Sequence, residues 1–116
     1  MNELHIEKGT TLSVGVRIVQ SDGTVYQPQS GDTVRLTVKE DINQSTPELT
    51  LTGSYDETEG HYIFAFDPGD TEDLPAELPY TRYWYDVSLQ TSGGDYYRVI
   101  PASPLLLHPG AGQKED

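Results

Sequence analysis

Apolar residues recur at every second position through most of the chain, the period of half-buried strands. "LHIEK" sets Leu4 and Ile6 on one face. After a break at Gly9-Thr10, "TLSVGVRIV" sets Leu12, Val14, Val16 and Ile18 against Thr11, Ser13, Gly15 and Arg17. "TVRLTVKE" points Val34, Leu36 and Val38 inward, and "ELTLTGSY" offers Leu49 and Leu51 with Gly53 and Tyr55 beyond. "HYIFAF" carries Tyr62, Phe64 and Phe66 on one face, with Ile63 and Ala65 on the other. "RYWYDVSLQ" places Tyr83, Tyr85, Val87 and Leu89 inside and Arg82, Trp84, Asp86, Ser88 and Gln90 outside. "YYRVI" follows a Ser92-Gly93-Gly94-Asp95 turn, with Tyr97 and Val99 in phase with the core. Pro101 and Pro104 break the pattern before a last strand, "LLLH", expected at an edge or after a bend.

The connections are short and polar. Asp22-Gly23 and Gly31-Asp32 carry tight-turn chemistry. "DPGDTEDLP" reads as one helical turn N-capped by Asp70, its acids near the positive end of the helix dipole, and stopped by Pro75. Seven or eight short strands, one helical turn and no long helix predict an all-β fold, an antiparallel immunoglobulin-like β sandwich. A small barrel is the alternative. With 116 residues the chain has the size of one domain, expected over residues 1–108 with a flexible polar tail over 109–116.

Composition narrows the function classes. There is no cysteine, so disulfides and cysteine-ligated zinc or iron–sulfur centres are excluded. Nineteen acids against seven bases give a net charge of −12, which disfavours nucleic acid and anionic membrane surfaces as partners. No apolar run nears the roughly 20 residues of a membrane span. The opening "MNELHIEKGT" lacks the basic and apolar regions of a signal peptide, so synthesis in the cytoplasm is expected.

Catalytic constellations are not evident. His5, His61 and His108 fall in or beside three different predicted strands, without metal-ligand spacing, and read as exposed strand histidines. No serine sits in a Gly-x-Ser-x-Gly elbow. The acids Asp67, Asp70, Glu72, Asp73 and Glu77 could bind calcium or pair as glycosidase carboxylates, but they match no fixed calcium loop. Their simplest role is in the helical turn, and neither a metal, a cofactor nor a small-molecule ligand is expected.

Five of the eleven aromatic residues lie between Arg82 and Ile100. Tyr83, Tyr85 and Tyr97 follow the core alternation. Trp84 and Tyr96 fall on the opposite face with Arg82 and Arg98, and these four form the candidate interaction surface. Exposed aromatics on a sheet anchor protein interfaces or stack on sugars. Asp86 is placed to accept bonds from a neighbouring loop or to pair with Arg98 across the hairpin.

One ordering of short motifs carries a resemblance. It runs through Gly31, Asp32 and Thr33; Asp67, Pro68, Asp70 and Thr71; Tyr83, Tyr85, Asp86 and Val87; and Val99 and Ile100. In this order the chain, from about Gly9 to Leu107, resembles phage and prophage structural proteins of Gram-positive bacteria. It is similar to the N-terminal immunoglobulin-like domain of siphophage baseplate upper proteins. Those proteins continue into longer regions, whereas this sequence stops after a short polar tail, which fits an adaptor module better than a receptor-binding fibre. The resemblance implies a non-enzymatic virion component of tail or baseplate, partnered by copies of itself or by other virion proteins. A carbohydrate-binding or adhesive module using Trp84 and Tyr96 is the alternative.

Overall fold

A computed structural model describes residues 3–109. Of the expected polar tail only Pro109 is among them; the rest of it lies outside the described residues. Eight strands and one helical turn follow in order. The strands are β1 (Leu4–Glu7), β2 (Leu12–Val16), β3 (Thr33–Lys39), β4 (Leu49–Thr52), β5 (Ser54–Asp56), β6 (His61–Phe66), β7 (Thr81–Gln90) and β8 (Tyr96–His108), with the turn α1 (Pro68–Glu72) between β6 and β7. They form a five-stranded sheet, β1-β8-β7-β3-β4, and a three-stranded sheet, β2-β6-β5. The order is that of an immunoglobulin-like sandwich, with β2, β6 and β5 as strands B, E and D, and β3, β4, β7 and β8 as C, C′, F and G.

The alternating apolar positions meet between the sheets. Val34, Leu36 and Val38 of β3, Tyr83, Tyr85, Val87 and Leu89 of β7, and Leu105 and Leu107 of β8 face Val16, Tyr62, Phe64 and Phe66 of the small sheet. Phe64, Phe66, Leu36, Val87 and Leu107 are fully buried. Burying a side chain of this kind contributes about 1.5–3 kcal/mol, so the stripe read from the sequence is the main source of stability.

Tyr83 adds a polar tie inside this core. Its ring is buried, and its hydroxyl donates to the Pro75 carbonyl at 2.8 Å. A tyrosine near the start of strand F bonding to backbone upstream is the tyrosine corner of immunoglobulin-like folds. The corner pins the crossover from the small sheet to β7. A second tie holds α1: the buried Thr71 hydroxyl accepts the Gly9 N–H at 2.9 Å. Gly9 has φ of 76°, which lets the chain leave β1 in one sheet and enter β2 in the other.

Five expectations are corrected. "ELTLTGSY" is not one strand: at Gly53 the chain changes sheets, so β4 pairs with β3 and β5 with β6. The final stretch is one 13-residue strand rather than two, bulged where β7 pairs shift between Tyr85, Val87 and Ser88. Its end is no edge either, because Leu105–His108 lie between β7 and a parallel β1. Pro101 and Pro104 are tolerated because β1 begins pairing only at Leu105, leaving the other side of β8 open at the prolines. The helical turn starts earlier than expected: Asp67, not Asp70, is the N-cap, since Pro68 occupies the first helical position. Asp70 sits at the third position, where its carboxylate accepts the Asp67 N–H at 2.8 Å.

The fifth correction concerns Tyr97. It keeps core phase but is 55% exposed, because the β7–β8 hairpin extends past the end of the small sheet. The core alternation runs on beyond the partner that would cover it.

Candidate interaction surface

The outer face of the five-stranded sheet gathers most of the residues singled out from sequence. Across β7 and β8, Arg82 pairs with Leu106, Trp84 with Pro104, Ser88 with Arg98 and Gln90 with Tyr96. The Arg82 guanidinium lies 5.9 Å from the Trp84 ring centroid, a cation–π contact at a half-covered indole. Arg98 Nε stands 3.8 Å from Asp86 Oδ2, a long pair between an exposed guanidinium and a largely covered carboxylate. Trp84, Asp86 and Arg98 line one open groove with Thr37, Lys39 and Ile42.

Tyr96 is not part of that groove. It is 57% exposed at the hairpin end, six strand positions from the level of Trp84, or about 20 Å along the strand. The two rings share a face but form no continuous strip. Asp67 and Asp73 are exposed, and Asp70 is occupied by its bond to Asp67 N–H. The acids serve the helical turn, and among the described residues no group of three or more His, Cys, Asp or Glu is arranged to hold a metal.

A second depression lies at the open end of the sandwich, and sequence reasoning missed it. Ile18, Val19, Tyr26, Leu89, Tyr97 and Val99 line it. Val19 is 56% exposed, so this lining carries two large apolar side chains facing solvent. The segment after β2 shapes one wall: Val19 bridges Val25, and Gln20 N–H bonds the Thr24 carbonyl at 2.8 Å around Gly23. Tyr26 is locked there by its hydroxyl, which donates to Asp32 Oδ2 at 2.6 Å. That bond to a carboxylate, with burial, pushes the Tyr26 phenol up to about 12. Burial likewise raises Tyr62, Tyr83 and Tyr85. Each rise keeps these phenols protonated to a higher pH than a free tyrosine.

The histidines are placed differently from their expected isolation. Parallel pairing of β1 with β8 brings His5 and His108 together, with His5 Nδ1 3.0 Å from His108 Nε2. Their ring centroids lie 5.2 Å apart with the planes 21° from parallel, so the two rings meet edge to edge through these nitrogens. No spacing rule could find this pair, because its partners are separated by nearly the whole chain and meet only through the strand order.

No family model matches the chain, and no curated protein matches it.

Proposed function

We propose that this protein is a non-enzymatic structural module of a phage or prophage virion, in the tail or baseplate, working through protein–protein contacts. The observation that carries the contact role is the apolar depression at the open end of the sandwich, with Val19 and Tyr97 more than half exposed. Solvent-facing aromatics flanked by aliphatics are the composition of interface anchors, and closed assemblies of one chain use such patches repeatedly. The virion setting is supported by the ordered motifs from Gly31 to Ile100. The glycan-binding reading has weaker support: Arg82 lies over the Trp84 ring that a sugar would stack on, and Tyr96 is too distant to extend the platform.

Mass spectrometry of particles purified from a host carrying the gene in its prophage tests the setting. The expected result is the chain among the virion proteins; particles that lack it refute the proposal. Light scattering over a concentration series tests the surface. Tyr97→Asp with Val19→Asp is expected to abolish association with a copy or a virion partner while leaving the fold intact, and unchanged association refutes the assignment of this surface.

A further inference from the structure

We propose that His5 and His108 form a binding site for one first-row transition-metal ion of the Cu²⁺, Ni²⁺ or Zn²⁺ class, clamped between β1 and β8. The inference stands apart from the virion reading and rests on the geometry of the pair.

The two nitrogens that face each other, His5 Nδ1 and His108 Nε2, are 3.0 Å apart. Imidazole nitrogens bind such ions at about 2.0–2.1 Å, so two nitrogens at this separation subtend about 90–95° at a common ion. That is the angle between adjacent ligands in tetragonal and octahedral sites, and imidazole suits copper, nickel and zinc. Without an ion, one proton lies between the rings. An ion replaces that proton once both rings turn about their terminal torsions, which are broad for histidine, so that their lone pairs leave the N–N line and converge on it.

A second observation points the same way. The other nitrogen of His5, Nε2, lies 2.7 Å from Glu3 Oε2. Histidines that bind metals usually donate their remote N–H to a carboxylate, which fixes the tautomer and raises ligand basicity. Glu3 does this for His5: with the proton on Nε2, the Nδ1 lone pair faces His108. The Tyr80 ring centroid sits 5.6 Å from that of His108 and forms a neighbouring wall. Glu7 lines the same shallow depression as both histidines. Water completes the coordination of an ion held by two imidazoles.

The site spans two strands that meet only in the folded chain. His5 is on β1, which pairs with β8 through Leu4–Glu7 alone. An ion bound across them ties the chain's first strand to its last and stabilises the native state by mass action.

The test uses the untagged full chain, stripped with a chelator and titrated with Cu²⁺ by calorimetry and electron paramagnetic resonance. One ion per chain is expected, with micromolar affinity and a spectrum showing nitrogen ligands. The melting temperature should rise by about 11 °C at hundredfold excess over the dissociation constant. His5→Ala and His108→Ala, each checked for a wild-type circular dichroism spectrum, should weaken binding by about tenfold or more, and Glu3→Gln by about tenfold. His61→Ala should change nothing, because that ring lies over Gly15 in the other sheet. Absence of one-to-one binding in the wild type, or binding that survives both His5→Ala and His108→Ala, overturns the proposal.

Discussion

Replacing Tyr83 by Phe removes one oxygen and keeps the ring, which isolates the tyrosine corner from the core packing around it. The hydroxyl donates to Pro75 O at 2.8 Å, and the tyrosine is only 1% exposed. A hydrogen bond of this kind contributes about 0.5–1.5 kcal/mol net, and an acceptor left dry adds a desolvation cost of about 1–3 kcal/mol. Pro75 is exposed, so water can satisfy its carbonyl in the variant, and the loss should stay near 1 kcal/mol. At about 2.1 cal/mol/K per residue, a 116-residue chain has an unfolding entropy near 0.24 kcal/mol/K, so the expected fall in Tm is about 4 °C. Tyr83→Ala, which also empties a core position, should cost about 3–5 kcal/mol. Calorimetry and urea unfolding at neutral pH measure both variants, with the urea m-value expected to stay unchanged. A Tyr83→Phe melting point within about 1 °C of wild type would refute the corner as a stabilising tie. A loss as large as that of Tyr83→Ala would show that the hydroxyl organises the crossover rather than merely fastening it.

Gly31 has φ of 89°, and a Cβ there would lie 2.5 Å from Ser92 Cβ, so Gly31→Ala should cost about 2–4 kcal/mol in urea unfolding. Gly94→Ala, at φ of 92° with open space around it, should cost only about 1–2 kcal/mol, and equal losses would refute the loop contact. Tyr26, raised to about 12, keeps its proton in the fold after the unfolded chain has lost it; its contribution to stability is therefore complete below pH 10 and is lost as pH rises from 10 towards 12. Ultraviolet titration should show late-ionising phenols and lose one in Tyr26→Phe, whereas all eight tyrosines titrating together near 10 would contradict the Asp32 bond. Asp86→Asn should change stability by less than about 0.5 kcal/mol, since the Arg98 contact is long and its guanidinium is exposed; a loss above about 1 kcal/mol would expose a stronger role.

The sandwich was legible because each strand carries its own period of two. Leu36, Phe64, Tyr83 and Val87 announce their burial through neighbours two positions away, and the structure buries all four. The errors arise where burial depends on something other than the local pattern. Tyr97 keeps the phase of a core residue but extends past the sheet that would cover it. Gly53 marks a change of sheet inside what reads as one strand. The His5–His108 pair depends on the parallel contact of the first strand with the last, a long-range pairing that no local signal encodes. Trp84, Asp86 and Arg98 were grouped by alternation alone, and they share one groove because alternation sets the face of a sheet. Tyr96 fell on that face too, but distance along the strand, which periodicity ignores, removes it from the group.

The motifs that carry the phage resemblance have structural duties in this fold. Gly31 makes the turn against Ser92, Asp32 holds the Tyr26 hydroxyl, Asp67 and Asp70 begin the helical turn, Thr71 ties it to Gly9, and Tyr83 closes the corner. A match at such positions tracks the frame, and one frame hosts many functions. The positions that would distinguish a virion adaptor from another immunoglobulin-like module lie elsewhere: Val19, Tyr96 and Tyr97 at the open end, and His5 with His108 beside the first strand. Substituting frame residues lowers stability and with it any function the protein has, so loss of assembly in a Tyr83 or Gly31 variant would be uninformative. Loss of assembly in a folded Tyr97→Asp protein discriminates, because that side chain already faces water and its removal leaves the core intact.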